Sequence, residues 1–312
     1  MKLDSRIYVA GHSGLVGSAI LRSLKQKGFL NLVTRMHNEL ELADAVAVKK
    51  FFNETKPEYV FLAAAKVGGI HANNTYPADF IRENLVVQTN VIHESWKSGV
   101  KKLMFLGSSC IYPKLCPQPI KEEYLLSGKL EPTNDAYAIA KIAGIKTCQS
   151  YNKQFGTKYF SVMPTNLYGI NDNFHPENSH VLPALIRKFH EAKIANAEFV
   201  SIWGSGNSRR EFLHSDDLAD AVLLLMENYE DSEIINIGSG EDQTIRELAE
   251  IIQHVVGFTG YLKFDASRPD GTPQKLLNVS KVKSLGWSPT ISLKKGIKQV
   301  YRWYENQVNS KM

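Results

Sequence analysis

The chain has 312 residues, enough for one large domain or two modest ones, and its 43% hydrophobic and 22% charged residues are ordinary for a soluble globular protein. Its formal net charge of +5 is spread over interleaved acids and bases, which argues against a nucleic-acid binder and leaves room for an anionic small ligand. No apolar run approaches bilayer-spanning length, and the opening MKLDSRIYV leads into strand-like sequence instead of a signal-peptide apolar region, so no membrane partner is expected.

The elements come in alternation. Ile7 to Ala10 predicts a strand, Leu15 to Lys27 a helix, Asn31 to Thr34 a strand and Ala45 to Lys56 a helix. Tyr59 to Ala64 is a strand, Ala78 to Ser98 a long helix and Lys102 to Gly107 a strand. Such alternation predicts βαβ units with right-handed crossovers and a parallel sheet covered on both faces. Beyond about Tyr168 the rhythm loosens into a polar stretch from Ile170 to His180, a helix near Val181 to Lys193, and short strands such as Phe199 to Trp203. Periodicity returns in LHSDDLADAVLLLMENY and EIINIGSG. The expected division is 1–168 for a cofactor domain, with segments near 212–238 returning to it, and 169–312 mainly for a smaller substrate domain.

The turn after the first strand carries Gly11, Gly14 and Gly17 and opens a helix. Glycines permit a tight turn and let backbone N–H groups at the positive helix end approach a pyrophosphate. The spacing is G-x-x-G-x-x-G and not the commoner G-x-G-x-x-G, and three glycines also suit a plain strand-to-helix connection. Their place in the first βα turn of an alternating chain points to a dinucleotide. At the end of the second strand an acid would bind a ribose 2′-hydroxyl and a cation a 2′-phosphate. Here Arg35 and His37 precede the first acid, Glu39, which favours NADP(H); Arg35 as a solvated loop charge is the alternative.

Tyr137 and Lys141 lie one helical turn apart in YAIAK and share a face. An ammonium near a phenol favours the phenolate, so the pair predicts a tyrosine lowered from its usual pKa of about 10 and usable as a proton donor or acceptor near neutral pH. The same spacing occurs on exposed amphipathic helices. It gains weight from the glycine turn and from GSSCIYP, Gly107 to Pro113, at the end of a buried strand.

These features together resemble the extended short-chain dehydrogenase/reductase superfamily. The chain more closely resembles the GDP-L-fucose synthase family within it, along nearly the whole length: GHSGLVGSAI, AAAKVGGIHANNTYPADFI, FLGSSCIYPK, EPTNDAYAIAKIAGIK, PTNLYG, NFHPENSHVLPALI, WGSG, REFLH and FDASRPDGTP. Of these, GSSCIYP, KVGGI-ANNTYPADF and DNFHP-NSHV are the specific ones. The resemblance implies an α/β fold with a Rossmann-type doubly wound parallel sheet and a smaller C-terminal α/β substrate domain. It implies 3,5-epimerisation and NADPH-dependent 4-reduction of GDP-4-keto-6-deoxy-D-mannose. Cys110 and His180 then become the acid-base pair that inverts C3 and C5, Ser108 and Tyr137 hold the C4 oxygen, and Lys141 also binds the nicotinamide ribose.

By the same resemblance the cofactor meets His12, Ser13, Leu15 and Val16 beside the three glycines. It also meets Leu106 and Gly107, the stretch Pro164, Thr165, Asn166 and Leu167, and His180. Lys188, Trp203, Arg210 and Asp270 surround the GDP-sugar, where cations pair with the diphosphate and Trp203 offers a flat apolar face. A homodimer through the long helices from Ala78 and Tyr137 is implied. Some bacterial members carry arginines where this chain has Ser13 and His37, which weakens the case for strict NADPH use while Arg35 remains.

Several residues keep simpler readings open. Cys110, Cys116 and Cys148 are an odd count, read as free thiols of a cytoplasmic protein, with Cys116 and Cys148 as small buried hydrophobes. His180 also suits a helix cap, and Arg209 beside Arg210 suits a solvated pair or an ion pair of either with Glu211 or Asp216. His175 lies three residues after Asp172, but no Cys and His cluster has zinc-ligand spacing, so no metal is expected. The rival functions are a C4 reductase for a related GDP-4-keto sugar such as a heptose, an NAD-linked sugar 4-epimerase, and a nucleotide-sensing scaffold.

Overall fold

The computed structural model describes residues 1–176, 178–267 and 270–310. The first half alternates β1 (Ile7–Ala10), α1 (Leu15–Gln26), β2 (Leu32–Val33), α2 (Ala45–Thr55), β3 (Tyr59–Leu62), a short α3 (Ile70–Thr75), α4 (Pro77–Lys97), β4 (Lys102–Leu106), α5 (Asp135–Phe155) and β5 (Tyr159–Pro164). There follow β6 (Asn166–Tyr168), α6 (Val181–Ile194), β7 (Phe199–Trp203), β8 (Arg209–His214), α7 (Ser215–Asn228) and β9 (Ile235–Ile237). The chain ends with β10 (Asp242–Thr244), α8 (Ile245–Val256), β11 (Tyr261–Asp265), β12 (Gln274–Lys275), α9 (Ser280–Ser284) and α10 (Leu293–Asn309). Among the described residues no helix is long and apolar enough to cross a membrane.

Six parallel strands form the main sheet in the order β2-β1-β3-β4-β5-β9. Helices cover both faces, so β1 and β5 are buried along their whole length and read as near-continuous apolar runs. The chain steps outward from β1 to β2 and then back past β1 to β3. Doubly wound sheets bind ligands outside the carboxyl ends of the strands at such a reversal, here between β1 and β3.

A smaller body is built on β8, which pairs with β10 and β12 and carries β6 along its edge, and on the parallel pair β7 and β11. Its own apolar cluster includes Leu182, Ile186, Phe189, Ile252 and Val300. The cluster of the main sheet takes in α7, β9 and also Leu277, Val279 and Val282. The chain therefore re-enters the first body after β8 and again after β12.

Helix α5 is placed by close approach. Gln88 Nε2 on α4 donates to the Ala140 carbonyl at 2.7 Å, and Gly144 lies so near the Phe105 ring that a methyl group there would overlap it. Overpacking a tight core contact costs about 1–3 kcal/mol. Gly144→Ala is expected to lose stability in that range in urea unfolding, with activity falling alongside because α5 carries Tyr137 and Lys141; wild-type stability in the variant would contradict the packing described.

Candidate active site

The dinucleotide end starts at Gly11, whose φ of +80° suits glycine and whose Cβ position would lie 2.8 Å from the Ala64 amide nitrogen beyond β3. Gly17 is equally confined, because a methyl there would overlap the Gly11 carbonyl, so α1 starts directly on the turn. Gly14 differs. A Cβ there would meet only the Gly11 oxygen, at an ordinary 3.5 Å, and no side chain caps the helix it precedes. The first intrahelical bond runs from Ser18 N–H to the Gly14 carbonyl, so the N–H groups of Leu15, Val16 and Gly17 stand at a bare positive helix end. That open, uncapped terminus at the sheet's reversal fits a pyrophosphate. Beside it, His12 has a buried Nδ1 with no hydrogen-bond partner among the described residues, and Ser13 is exposed.

At the end of β2, Arg35 is exposed, donates to the Thr34 carbonyl at 2.8 Å, and holds its guanidinium 5.5 Å from the centre of the Phe51 ring. The acids that follow are occupied. Glu39 accepts from Met36 N–H at 2.6 Å, and Glu41 accepts from Ala43 N–H and pairs with His37 at 3.2 Å. An exposed cation thus follows β2 while the two acids after it are engaged, an arrangement that suits a 2′-phosphate.

The chemical end is organised by β4 and α5. After Leu106, Gly107 N–H donates to the Val162 carbonyl at 2.9 Å. Ser108 then caps a single turn of 3-10 helix by accepting from Cys110 N–H at 3.3 Å. The Ser108 hydroxyl also reaches the Tyr137 phenol and the Cys110 thiol, so it stands at the centre of this group. Lys141 is buried, donates to the Leu106 carbonyl at 2.7 Å, and lies 4.8 Å from the Phe105 ring centre and 5.7 Å from that of Tyr137. Burial pulls its pKa down to about 8, with Cys110 opposing.

The expected lowering of Tyr137 by Lys141 is overturned. Burial drives the phenol above its ordinary value, Cys110 pushes the same way, and a hydrogen bond with Ser108 opposes them. The ammonium is committed to Leu106, while the phenol has lost water. Tyr137 is therefore held as the protonated donor, the state that a carbonyl reduction consumes.

Cys110 is half-buried, and burial raises its thiol, while Lys275, a Ser108 hydrogen bond and Lys141 pull it down in that order. His180 stands at the start of α6 without capping it through its side chain. It is exposed as a residue, yet the crowding of protein around its imidazole lowers its pKa, and Lys275 acts in the same direction. Ser108, Cys110, Tyr137 and Lys141 thus form one group, and the charge of Lys275 is felt by both Cys110 and His180.

Lys275 escaped the sequence reading, and Glu211 was read only as an ion-pair partner for an arginine. Lys275 sits on β12 opposite Arg210, and burial holds its ammonium below the usual range against the pull of Cys110. Its only sequence signal is its place just after the DGTP run. Glu211 is fully buried, and its carboxylate accepts from Gly240 N–H at 2.7 Å and Leu277 N–H at 2.9 Å. Its backbone carbonyl accepts from Asn166 Nδ2 at 2.9 Å and Thr165 Oγ1 at 3.2 Å. Pro164 ends β5 and Leu167 pairs with Leu213, so the PTNL stretch is stitched to β8.

Lys188, Trp203, Arg210 and Asp270 come to one edge of the second body. The Lys188 ammonium lies 5.3 Å from the Trp203 ring centre, and Asp270 accepts from Ser205 N–H and Oγ, both at 2.7 Å. Burial lowers Arg210, and Asp270 opposes that shift. The pairings considered for the arginines are corrected: Arg209 pairs with Asp242, Glu211 is taken by backbone amides, and Asp216 pairs with Arg22. Cys148 is buried, whereas Cys116 is only half-buried and is not the core residue expected.

Comparison with known proteins agrees with this layout. A family model described as the NAD dependent epimerase/dehydratase family matches residues 7–238. GDP-L-fucose synthase 1 of Arabidopsis thaliana is 63% identical over 305 residues, covering 98% of this chain and 94% of that protein. Among solved structures, a GDP-mannoheptose C4 reductase from Campylobacter jejuni with NADP bound is 46% identical with a TM-score of 0.91, covering 98% of this chain and 99% of its own. A GDP-L-fucose synthetase from Naegleria fowleri bound to NADP is 30% identical with a TM-score of 0.92, covering 99% of this chain and 97% of its own.

Removing the Lys275 charge should raise the Cys110 pKa, because a nearby cation favours thiolate. In Lys275→Met, the pH profile of Cys110 alkylation, followed by peptide mass, is expected to move to higher pH, with the rate near neutrality falling about fivefold. An unmoved profile would remove Lys275 from this electrostatic role.

Proposed function

The chain belongs to the NAD dependent epimerase/dehydratase family, and from that premise we propose that it converts GDP-4-keto-6-deoxy-D-mannose to GDP-L-fucose by 3,5-epimerisation and NADPH-dependent 4-reduction. The observation that carries this reading is the placement of Ser108 and Lys141 at the exit of β4, with Tyr137 on the same helix, in a chain 63% identical to a GDP-L-fucose synthase over nearly its whole length.

A C4 ketone acidifies the C–H bonds at C3 and C5. Ser108 and Tyr137 hold the C4 oxygen and stabilise the negative charge that gathers there when a proton leaves carbon. One member of the Cys110 and His180 pair removes that proton, and the other returns a proton to the opposite face. The same two hydroxyls then polarise the carbonyl for reduction, in which bound NADPH supplies a hydride to C4. Tyr137 gives its proton to the C4 oxygen, and Ser108 holds the product hydroxyl. The bare terminus of α1 binds the cofactor pyrophosphate, Arg35 its 2′-phosphate, and Lys141 its nicotinamide ribose. Lys188 and Arg210 pair with the GDP diphosphate and Trp203 flanks the nucleotide-sugar, with Asp270 on the same edge. The reading includes a cytoplasmic setting, in keeping with three free thiols, and a homodimer through the outer faces of α4 and α5.

A second reading, reduction alone on a GDP-4-keto-heptose, draws on the likeness to the C. jejuni C4 reductase. Turnover in heavy water separates the two. The first reading expects deuterium at C3 and C5 of the product. It expects Cys110→Ser to cut that incorporation by about 10²-fold or more and to leave a C4-reduced sugar that was never inverted. Product without deuterium at either carbon leaves the reductase reading.

A further inference from the structure

The segment after β3, AAAKVGGIHANN, is as distinctive as the acid-base stretches, yet no step above uses it. Its near end is tied to α4: Lys66 N–H donates to Asn84 Oδ1 at 3.1 Å, and Asn84 Nδ2 returns a bond to the Lys66 carbonyl at 3.0 Å. Gly68 packs on Phe80, where a Cβ would lie 3.2 Å from the ring, and Phe80 stands edge-on to Tyr137 with ring centres 6.2 Å apart. The far end reaches the second body. Gly69 N–H donates to the Asn178 carbonyl at 3.1 Å, and a Cβ on Gly69 would lie 2.8 Å from the Ser179 carbonyl oxygen. Asn73, itself buried, holds both glycine carbonyls through Nδ2, at 2.8 Å and 3.0 Å.

Gly69 has φ −66° and ψ −179°, angles that any residue adopts. Backbone freedom is therefore not why a glycine stands here. Proximity is. The atom a side chain would strike belongs to the peptide that immediately precedes His180, and a backbone carbonyl cannot swing aside as a flexible side chain does. One short loop thus touches the wall that carries Tyr137 at one end and the residue before the imidazole at the other.

We propose that Gly69 is a positioning residue for the epimerisation half of the reaction: its N–H and its missing side chain seat the Asn178 and Ser179 peptides, and with them His180, at a fixed distance from the Tyr137 wall. This rests on the bifunctional reading above. Hydride transfer needs Ser108, Tyr137 and Lys141, none of which lies on the seated segment, so the two halves respond differently when the seat is lost.

The test is Gly69→Ala, with Asn73→Ala as a second variant that loosens the loop without adding an atom. Each is turned over with GDP-4-keto-6-deoxymannose and NADPH in heavy water, with deuterium at C3 and C5 measured per hydride transferred. Misplacement near 1 Å costs proton transfer about 10²-fold. The ratio is therefore expected to fall at least about tenfold in Gly69→Ala and less in Asn73→Ala. An unchanged ratio in a folded variant, or equal loss of both halves, overturns the proposal while the bifunctional reading stands. If Gly69→Ala does not fold, Asn73→Ala decides by the same ratio. Wild-type protein that incorporates no deuterium overturns the bifunctional reading itself, and the positioning role with it.

Discussion

The geometry of the site depends on one buried ammonium bound to one backbone carbonyl. Leu106 ends β4, where the sheet ladder stops, and Lys141 Nζ takes up its carbonyl oxygen at 2.7 Å. Removing an ammonium from water is expensive, and its pKa of about 8 records that cost. What the bond secures is the rotation of α5 against β4. Tyr137 lies one turn earlier on the same helical face and Gly144 nearly one turn later, so fixing Lys141 brings the phenol to Ser108 and the glycine against Phe105. Any helix could carry a tyrosine and a lysine at this spacing; only one docked by its own lysine delivers the phenol to the end of a particular strand.

The charge balance around Cys110 follows from which groups have lost water. Burial raises the thiol more than Lys275, Ser108 and Lys141 lower it, and burial together with Lys275 lowers the imidazole of His180. Both shifts favour the uncharged forms, which spare a partly desolvated site the cost of a separated charge. Lys275 draws both groups toward their deprotonated forms.

Much of the first body was legible in the sequence because its signals are local. Strand and helix alternate over segments shorter than about 25 residues, the glycine turn lies between adjacent elements, and YAIAK is contained in one helical turn. The second body was not legible in the same way. Strand β8 pairs with β12 and with β6, partners far apart along the chain, and no periodicity foretells such pairing. Lys275 was missed for that reason, since nothing near it in the sequence announces a site; only the register against Arg210 brings it there. The direction of the Tyr137 shift failed for a different reason. Spacing reveals which charges are near, but desolvation depends on the whole surround, and here it is the larger influence. Glu211 was read as a partner for arginine, but a carboxylate with two backbone amides in reach is already satisfied.

The division of labour between the two bodies explains why reduction is the more robust half of the proposed chemistry. Ser108, Tyr137 and Lys141 belong to β4, its exit and α5, and their mutual positions are fixed within the first body. The proposed inversion at C3 and C5 also draws on His180, on the segment leading into α6, beside the charge of Lys275 on β12. Both arrive from the second body, held through Glu211 and through the peptides next to Gly69. A shift confined to the segment leading into α6 moves the imidazole while leaving Ser108, Tyr137 and Lys141, and the nucleotide-sugar residues on the second body, where they are. On this reading, loss of epimerisation requires no change in the reducing residues at all, and a bifunctional enzyme and a plain C4 reductase can share one fold and one Tyr, Lys and Ser set.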